Sequence, residues 1–557
     1  MPSPLQGLDQ VVAVTQDHVN ASLDTRFRLD GNLSHLDVKN NWGKINAEMD
    51  PPTVDFYIPS EIHKVHFCVN LSSGTCTWYK IDDTTDPPSV KPITADIKAW
   101  TLAFTVNLSL DKINEIPDEI KNKIKFPGSY SLSQLLLDFN TADLSSFDPE
   151  LSHTPGVSGT DPDRQVAFTH FMEAYLEKLK GGDTGILGYA ITVPDPKVTN
   201  PYAPTFSPMS VTFQTMENRD SDTNAAQPGL NCFLFCEMTS NLTPPDYINW
   251  TENWVDQGKS GTMVISKKNF WDNFFVIHST FLNRMALDML NRLAYALDNS
   301  GDLNKWDVSW QFTTQRPSDG ELAWKSTKEQ SMSYYWSHSE PKHTVDIYDK
   351  YARNCDTKVD VALDTGANVI TVTASSHVWR EYIHIYPAGR EWIKDTYEID
   401  ATISWSYSFI LNSVTDGTLE MSAKLVSPIC TVTKSETSSI GNFWRPSDEE
   451  LSTWAQEDLQ KRVDDENTLL TDVAEGLKTQ SQFVFPGGGT FFMKDPKYNS
   501  YGDLTVTLQY KQELCVPVGH RWLSALVDVR ARNIFIMILF FFLLFQCALF
   551  SYLFVKL

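Results

Sequence analysis

The stretch Asp9-Gln-Val-Val-Ala-Val-Thr-Gln-Asp-His-Val-Asn20 is echoed near the middle of the chain by Asp272-Asn-Phe-Phe-Val-Ile-His-Ser-Thr-Phe-Leu-Asn283. Each copy begins with an acid, continues with four apolar residues and ends with Asn. The segments after the two copies also repeat coarsely, in the order helix, sheet, helix, strand. A repeat on this scale indicates one architecture used twice. The sequence therefore predicts two related modules.

A long apolar helix is predicted around the second copy. Large apolar side chains recur there at spacings of three and four, among them Phe274, Phe281 and Met285. This spacing places them on one broad helical face. Ser447 and Glu450 predict a capping box at the start of a later helix.

The strands are predicted to be antiparallel and covered on one side. In Leu102–Leu110 and Ile403–Phe409 large apolar residues alternate with small or polar ones. A sheet of this kind can wrap the apolar helix, and an incomplete fit would leave a groove suited to acyl chains. We expect six residues to line this groove: Phe274, Phe281, Met285, Trp310, Trp405 and Tyr407.

The charge and the amino-acid composition argue against some classes of function for this chain. The 557 residues carry a formal charge of −24, with 41% hydrophobic and 12% aromatic residues. This acidity repels phosphate backbones, so nucleic acid is not an expected partner. The eight cysteines are too few and dispersed for a disulfide framework, and the N-terminus lacks a secretory pattern. We therefore expect a cytoplasmic protein.

The C-terminal stretch 534–555 has no charged residue and is dense in Phe, Leu and Ile. That length would cross a hydrocarbon core of about 30 Å. Arg530 and Arg532 precede it, which favours a cytosolic position for the rest of the chain. The sequence thus predicts a transmembrane tail, residues 530–557, that anchors the protein to a membrane.

Several motifs together resemble the tubular lipid-binding (TULIP-like) proteins, and among them the OrfX-type accessory proteins of clostridial toxin clusters. The motifs are the start at Asp9, Val19-Asn20-Ala-Ser-Leu23, and the closing Phe485-Pro-Gly-Gly-Gly-Thr-Phe-Phe-Met-Lys-Asp495 with Asp503-Leu504. The resemblance implies an α+β fold of two tandem modules, 1–262 and 263–529, each a highly curved antiparallel sheet around a long helix. It also implies lipid binding without catalysis, so no catalytic residue is expected. The residues themselves offer no convincing metal-ligand set, and we expect no metal or cofactor.

Two alternatives stay open. Asp183-Thr-Gly185 and Asp364-Thr-Gly366 match the paired triplets of aspartic proteases, in which two carboxylates share one proton, although Asp-Thr-Gly is also an ordinary turn sequence. The other alternative is a structural subunit of a toxin-like assembly, in which the modules bind a protein partner or a second copy of the chain.

Overall fold

The computed structural model describes the following residues: 5–29, 33–59, 61–82, 84–113, 131–138, 148, 151–157, 161–180, 186–192, 206, 208–240, 242–245, 247–248, 250, 253–299, 318, 320–326, 332–345, 349–388, 391–413, 419–437, 447–465 and 491–510. Trp310, Asp183 and the predicted tail lie outside them.

Nineteen strands and several helical segments make up the described part of the chain. The strands are β1 Gln10–Thr15, β2 His35–Asn40, β3 Gly43–Asp55, β4 Lys64–Asp82, β5 Ser89–Asp96, β6 Trp100–Ile113, β7 Ser131–Asp138, β8 Ile186–Thr192, β9 Ser210–Met216, β10 Cys232–Met238, β11 Gly261–Ile265, β12 Lys325–Ser326, β13 Ser333–Val345, β14 Asp349–Asp364, β15 Val369–Ala388, β16 Glu391–Ser413, β17 Leu419–Thr437, β18 Phe491–Tyr498 and β19 Leu504–Tyr510. The helices are α1 Gln16–Leu29, α2 Pro162–Lys180, α3 Val276–His278, α4 Phe281–Asn299 and α5 Asp448–Asp465, with a π-helical segment Lys268–Phe275 and a 3-10 turn Pro228–Leu230.

These strands form three sheets. The central sheet has the order β18-β19-β11-β1-β10-β9 and so combines strands from the start, middle and end of the chain. The first outer sheet has the order β2-β3-β4-β6-β7-β8, with β5 paired to β4, and the second outer sheet runs in sequence order from β12 to β17. Every pairing is antiparallel.

The middle of the central sheet is pseudo-symmetric. β1 and β11 pair with each other, and each is followed at once by a helical segment. The Thr15 backbone N–H donates to the Ser260 carbonyl (3.1 Å), while the Ser266 N–H donates to the Asp9 carbonyl (2.9 Å). Thr15 Oγ1 then caps the His18 N–H (3.3 Å), and Ser266 Oγ caps the Asn269 N–H (3.1 Å). These reciprocal bonds relate the two halves by an approximate twofold axis between β1 and β11.

This axis changes the alignment of the two halves. In the sequence echo, Val11–Val14 is matched with Phe274–Ile277, but the first quartet lies in strand β1 whereas the second is helical. The structure instead matches β1 with β11. Gly261 allows the two strands to approach closely, because a Cβ at this position would collide with the Ala13 carbonyl oxygen.

The predicted fold class needs correction. Most of the described residues lie in strands, and these strands form three sheets with a shared central one, not two separate sheets around two helices. The predicted boundary after residue 262 falls inside β11. In the part of the chain that the structure describes, no helix is both long and apolar enough to span a bilayer, and the C-terminal transmembrane helix predicted at residues 530–557 is not among the described helices.

Each outer sheet packs on helices. α1 lies against β3 and α2 against β4 and β2, while α4 lies against β14 and β15 and α5 against β17 and β16. The apolar side chains between them form one continuous core that runs from Trp78 in the first outer sheet, through Phe235 and Phe270 at the central sheet, to Trp405 in the second outer sheet. A smaller core covers the other face of the central sheet and includes Val11 and Trp254. Because β1, β10 and β11 are buried along their whole length, the central sheet is covered on both faces.

Candidate functional site

The predicted lipid-contacting residues that the structure describes all lie in or against the continuous core. Phe274 is buried, with its ring 5.0 Å from that of Phe206, and Met285 is buried on α4. Phe281 is half-buried and packs on the same core. Trp310 lies outside the described residues. The structure therefore brings the helical members of the predicted set together in the apolar interior, and their contact with lipid stays a prediction.

The two strand members lie side by side on β16. The rings of Trp405 and Tyr407 are 5.5 Å apart and both side chains are buried. The Tyr407 hydroxyl donates to the Leu459 carbonyl of α5 at 2.9 Å, which ties this helix to the sheet. The aromatic face of the strand thus fills the space between sheet and helix, and any ligand there must share that space.

A buried carboxyl lies where the central sheet meets the core. Gln10 Nε2 donates to Glu237 Oε2 at 2.5 Å and to the Phe206 carbonyl at 3.0 Å, while Glu237 Oε1 has no hydrogen-bond partner. Burial raises the pKa of Glu237 to about 8. The hydrogen bond from Gln10 lowers this pKa, but by a smaller amount. Burial therefore favours the protonated form of the Glu237 carboxyl.

A pocket of about 410 Å³ opens at the β9 edge of the central sheet, and we call it the edge pocket. It is formed by three segments distant in sequence, and its lining residues are Tyr57, Ile58, Ile62, Gln214, Thr215, Met216, Glu217, Arg219, Tyr247, Ile248, Trp250 and Asn253. Sequence reasoning missed this site, because its three segments are far apart in the sequence and share no motif. The available signal was the presence of Tyr247, Trp250 and Trp254 in an otherwise polar loop.

Hydrogen bonds hold the polar residues of the edge pocket in place. Arg219 Nε donates to Glu217 Oε2 at 2.7 Å, and another guanidinium nitrogen donates to the Asn224 carbonyl at 3.1 Å. The hydrogen bond to Glu217 and its negative charge raise the pKa of Arg219, with a smaller contribution from Tyr57. The Asn253 amide bonds both backbone groups of Arg219. The arginine is thus fixed before any ligand arrives.

A second depression, of about 350 Å³, lies on the outer face of the second outer sheet. Its lining includes Thr373, Ser375, Ser404 and Ser406. The pairing of β16 and β17 shifts between Ser404 and Ser406, opposite Pro428, which has no N–H to donate. The depression lies beside this bulge.

Asp364, one of the two residues proposed for an acid protease, does not lie in a buried centre. It is exposed at the end of β14, where its Oδ1 accepts the N–H groups of Gly366 and Ala367 in the following turn, both at 2.9 Å. This is the ordinary turn role of Asp-Thr-Gly. Asp183 lies outside the described residues. Within the described ranges, no group of three or more His, Cys, Asp or Glu side chains could hold a metal ion.

Comparison with solved structures gives several similar chains, among them the following three. The protein P47 from Clostridium botulinum A2 is 11% identical, with a TM-score of 0.41, and the match covers 91% of this chain and 98% of that one. P47 of Clostridium botulinum E1 is 10% identical with a TM-score of 0.43, over 91% and 99% of the two chains. Lipopolysaccharide binding protein is 12% identical with a TM-score of 0.30, over 91% and 99%. No protein-family model matches the sequence, and no curated protein is similar to it.

The chain is similar to P47 and to lipopolysaccharide binding protein, which is the kind of similarity that the sequence motifs indicated. Because the TM-scores lie below 0.5, we infer function from the contacts of this chain alone.

Proposed function

We propose that this protein is a non-catalytic lipid-binding or lipid-transfer protein that holds acyl chains in its apolar interior, between the outer sheets and their helices. The observation that carries the proposal is the continuous core, which passes through both outer sheets and the central sheet. A long apolar interior of this kind suits acyl chains, since each buried methylene contributes about 0.8 kcal/mol.

The second outer sheet offers the stronger support. Its helix α4 has no exposed side chain among its described positions. Buried apolar residues occur on several sides of this helix. Phe281 at the start of α4 is half-buried and packs on the continuous core, and we infer that an acyl chain enters beside it.

Native mass spectrometry of the purified full chain, followed by lipid extraction, tests the proposal. We expect bound species with the mass of lipids, and reduced occupancy in a Phe281→Trp variant that enlarges the side chain at the entry. The matched control is Ile81→Trp on the exposed β4–β5 hairpin, which leaves occupancy unchanged. A lipid-free wild-type chain that also fails to take up lipid from vesicles would contradict the proposal.

A second candidate function is that of a structural subunit that binds protein. It is favoured by the β4–β5 hairpin, where Ile81 and Val90 face each other across the strands and are 58% and 62% exposed. Tyr79, two residues before Ile81 in β4, is 40% exposed and extends this apolar surface, and contiguous surfaces of this kind mark protein contacts. Native mass spectrometry separates the two candidates, since a subunit would form multimers that an Ile81→Lys substitution disrupts.

A further inference from the structure

The edge pocket presents two opposite charges side by side. Glu217 and Arg219 are paired at 2.7 Å, and their side chains are 14% and 46% exposed. The pair has no net charge. A simple anion would be repelled by Glu217, and a simple cation would be repelled by Arg219. A ligand that carries both charges is complementary to the pair, because each of its ends finds an opposite partner.

Aromatic side chains form much of the same pocket. Tyr57 and Tyr247 are 37% and 56% exposed and line the pocket together with the buried Trp250. Aromatic faces attract cations, and aromatic surroundings recognise quaternary ammonium groups in particular, since these groups have no N–H to donate. The cationic end of the ligand therefore belongs among these rings and beside Glu217.

Arg219 provides the anionic end of the site. A guanidinium has five N–H groups in a fixed plane, and its contacts with Glu217, Asn224 and Tyr57 do not use all of them. A planar fork with donors to spare is suited to phosphate oxygens. Since Asn253 clamps the Arg219 backbone, little ordering is required when the phosphate binds.

We propose that the edge pocket binds a zwitterionic head group in which a quaternary ammonium is joined to a phosphate, as in phosphocholine. The pocket volume of about 410 Å³ suits a small polar group of this size. The inference rests on the proposed lipid-binding function for the rest of the ligand, and it adds a preference for the head group.

Isothermal titration calorimetry of the full chain with soluble phosphocholine tests the head-group site. We expect binding to the wild type and to Tyr247→Phe, which keeps the ring. Tyr247→Leu removes the ring and weakens binding roughly two- to thirtyfold, the range expected for one cation–π contact. Tyr79→Leu, at another exposed tyrosine on the β4–β5 hairpin, is the matched control and binds as the wild type does.

Three results would overturn the inference: no binding of phosphocholine at millimolar concentration, equal binding by Tyr247→Leu and wild type, or equal affinity for inorganic phosphate alone. Vesicles of phosphatidylcholine and of phosphatidylglycerol then identify the source of the head group. Preference for phosphatidylcholine indicates a lipid ligand, whereas binding of free phosphocholine without vesicle preference indicates a soluble ligand and leaves the site in place.

The two proposals fail separately. Lipid recovered from a chain that does not bind phosphocholine contradicts the head-group site alone, and phosphocholine binding by a lipid-free chain contradicts the lipid proposal alone.

Discussion

Helix α1 and the helical run from Lys268 to Asn299 take matching places after β1 and β11, but the protein surrounds them differently. α1 exposes Asp17, Ala21 and Arg28 and packs mainly on β3. α4 has no exposed residue among its described side chains and packs on β14 and β15. The same topological start therefore leads to a helix on the surface of one half and an enclosed helix in the other. The second outer sheet can enclose α4 because its strands are long: β15, β16 and β17 have 20, 23 and 19 residues.

The largest expected effect compares the two helix cores. Leu290→Ala on α4 should lower the free energy of unfolding by about 3–5 kcal/mol, and Leu23→Ala on α1 by about 2–3 kcal/mol, because an enclosed site relaxes less around a cavity. Urea unfolding of both variants measures the difference. Equal losses would mean that the two helices are supported equally.

Glu237 is the next point of difference. The approximate twofold axis relates Gln10 in β1 to Gly261 in β11. Gln10 pairs with Glu237, whereas Gly261 pairs with Leu508, which carries no charge. Since the pKa of Glu237 is raised from 4.5 to about 8, its stabilising contribution is full below pH 4.5 and is lost as the pH rises to 8. Glu237→Gln should flatten this slope, which we expect to be on the order of 2–4 kcal/mol between pH 5 and 8. An unchanged slope in unfolding experiments would exclude Glu237 as its source.

His18 produces the opposite slope on the acid side. Burial lowers its pKa from 6.5 to about 4, so the stability that depends on neutral His18 is present above pH 6.5 and is lost as the pH falls to 4. The matching residue in the other half is Asn269, which does not titrate. His18→Asn should remove about 1–3 kcal/mol of acid sensitivity, measured as thermal stability between pH 6.5 and 4. Retention of that sensitivity would assign it to other groups.

The smallest effect concerns the two matched caps. Thr15→Ala and Ser266→Ala should each cost about 0.5–2 kcal/mol, because each leaves a helix-start N–H without its side-chain acceptor. Thr15→Ser and Ser266→Thr keep the hydroxyl and serve as controls. Unequal losses in chemical denaturation would show that the pseudo-symmetry of the backbone does not extend to its energetics.

The regular outer elements could be predicted from the sequence. Alternation predicts strands at Leu102–Leu110 and Ile403–Phe409, which lie within β6 and β16. The predicted capping box is present, since the Ser447 N–H donates to Glu450 and the Glu450 N–H donates to Ser447 Oγ. Such patterns are local, and a sheet with one buried face and one solvent-facing side gives them a clear period of two.

The central sheet could not be predicted in the same way. β11 is buried on both faces and has no polar alternation, so Gly261–Ile265 carries no strand period. A run of four apolar residues is compatible with a buried strand and with a buried helix. For this reason the sequence echo matches Val11–Val14, which form a strand, with Phe274–Ile277, which are helical. The edge pocket was missed because Tyr57, Arg219 and Tyr247 meet only through the fold.

Photo-crosslinking with a lipid that carries a diazirine in its acyl chain tests the central claim most directly. After irradiation of the full chain with this lipid, mass spectrometry of the digested protein locates the label. We predict labelled peptides from the core side of the fold, namely the π-helical segment Lys268–Phe275, α4 and β16. Label confined to exposed apolar residues such as Ile81 and Val90, or no label at all, would contradict an interior that holds acyl chains.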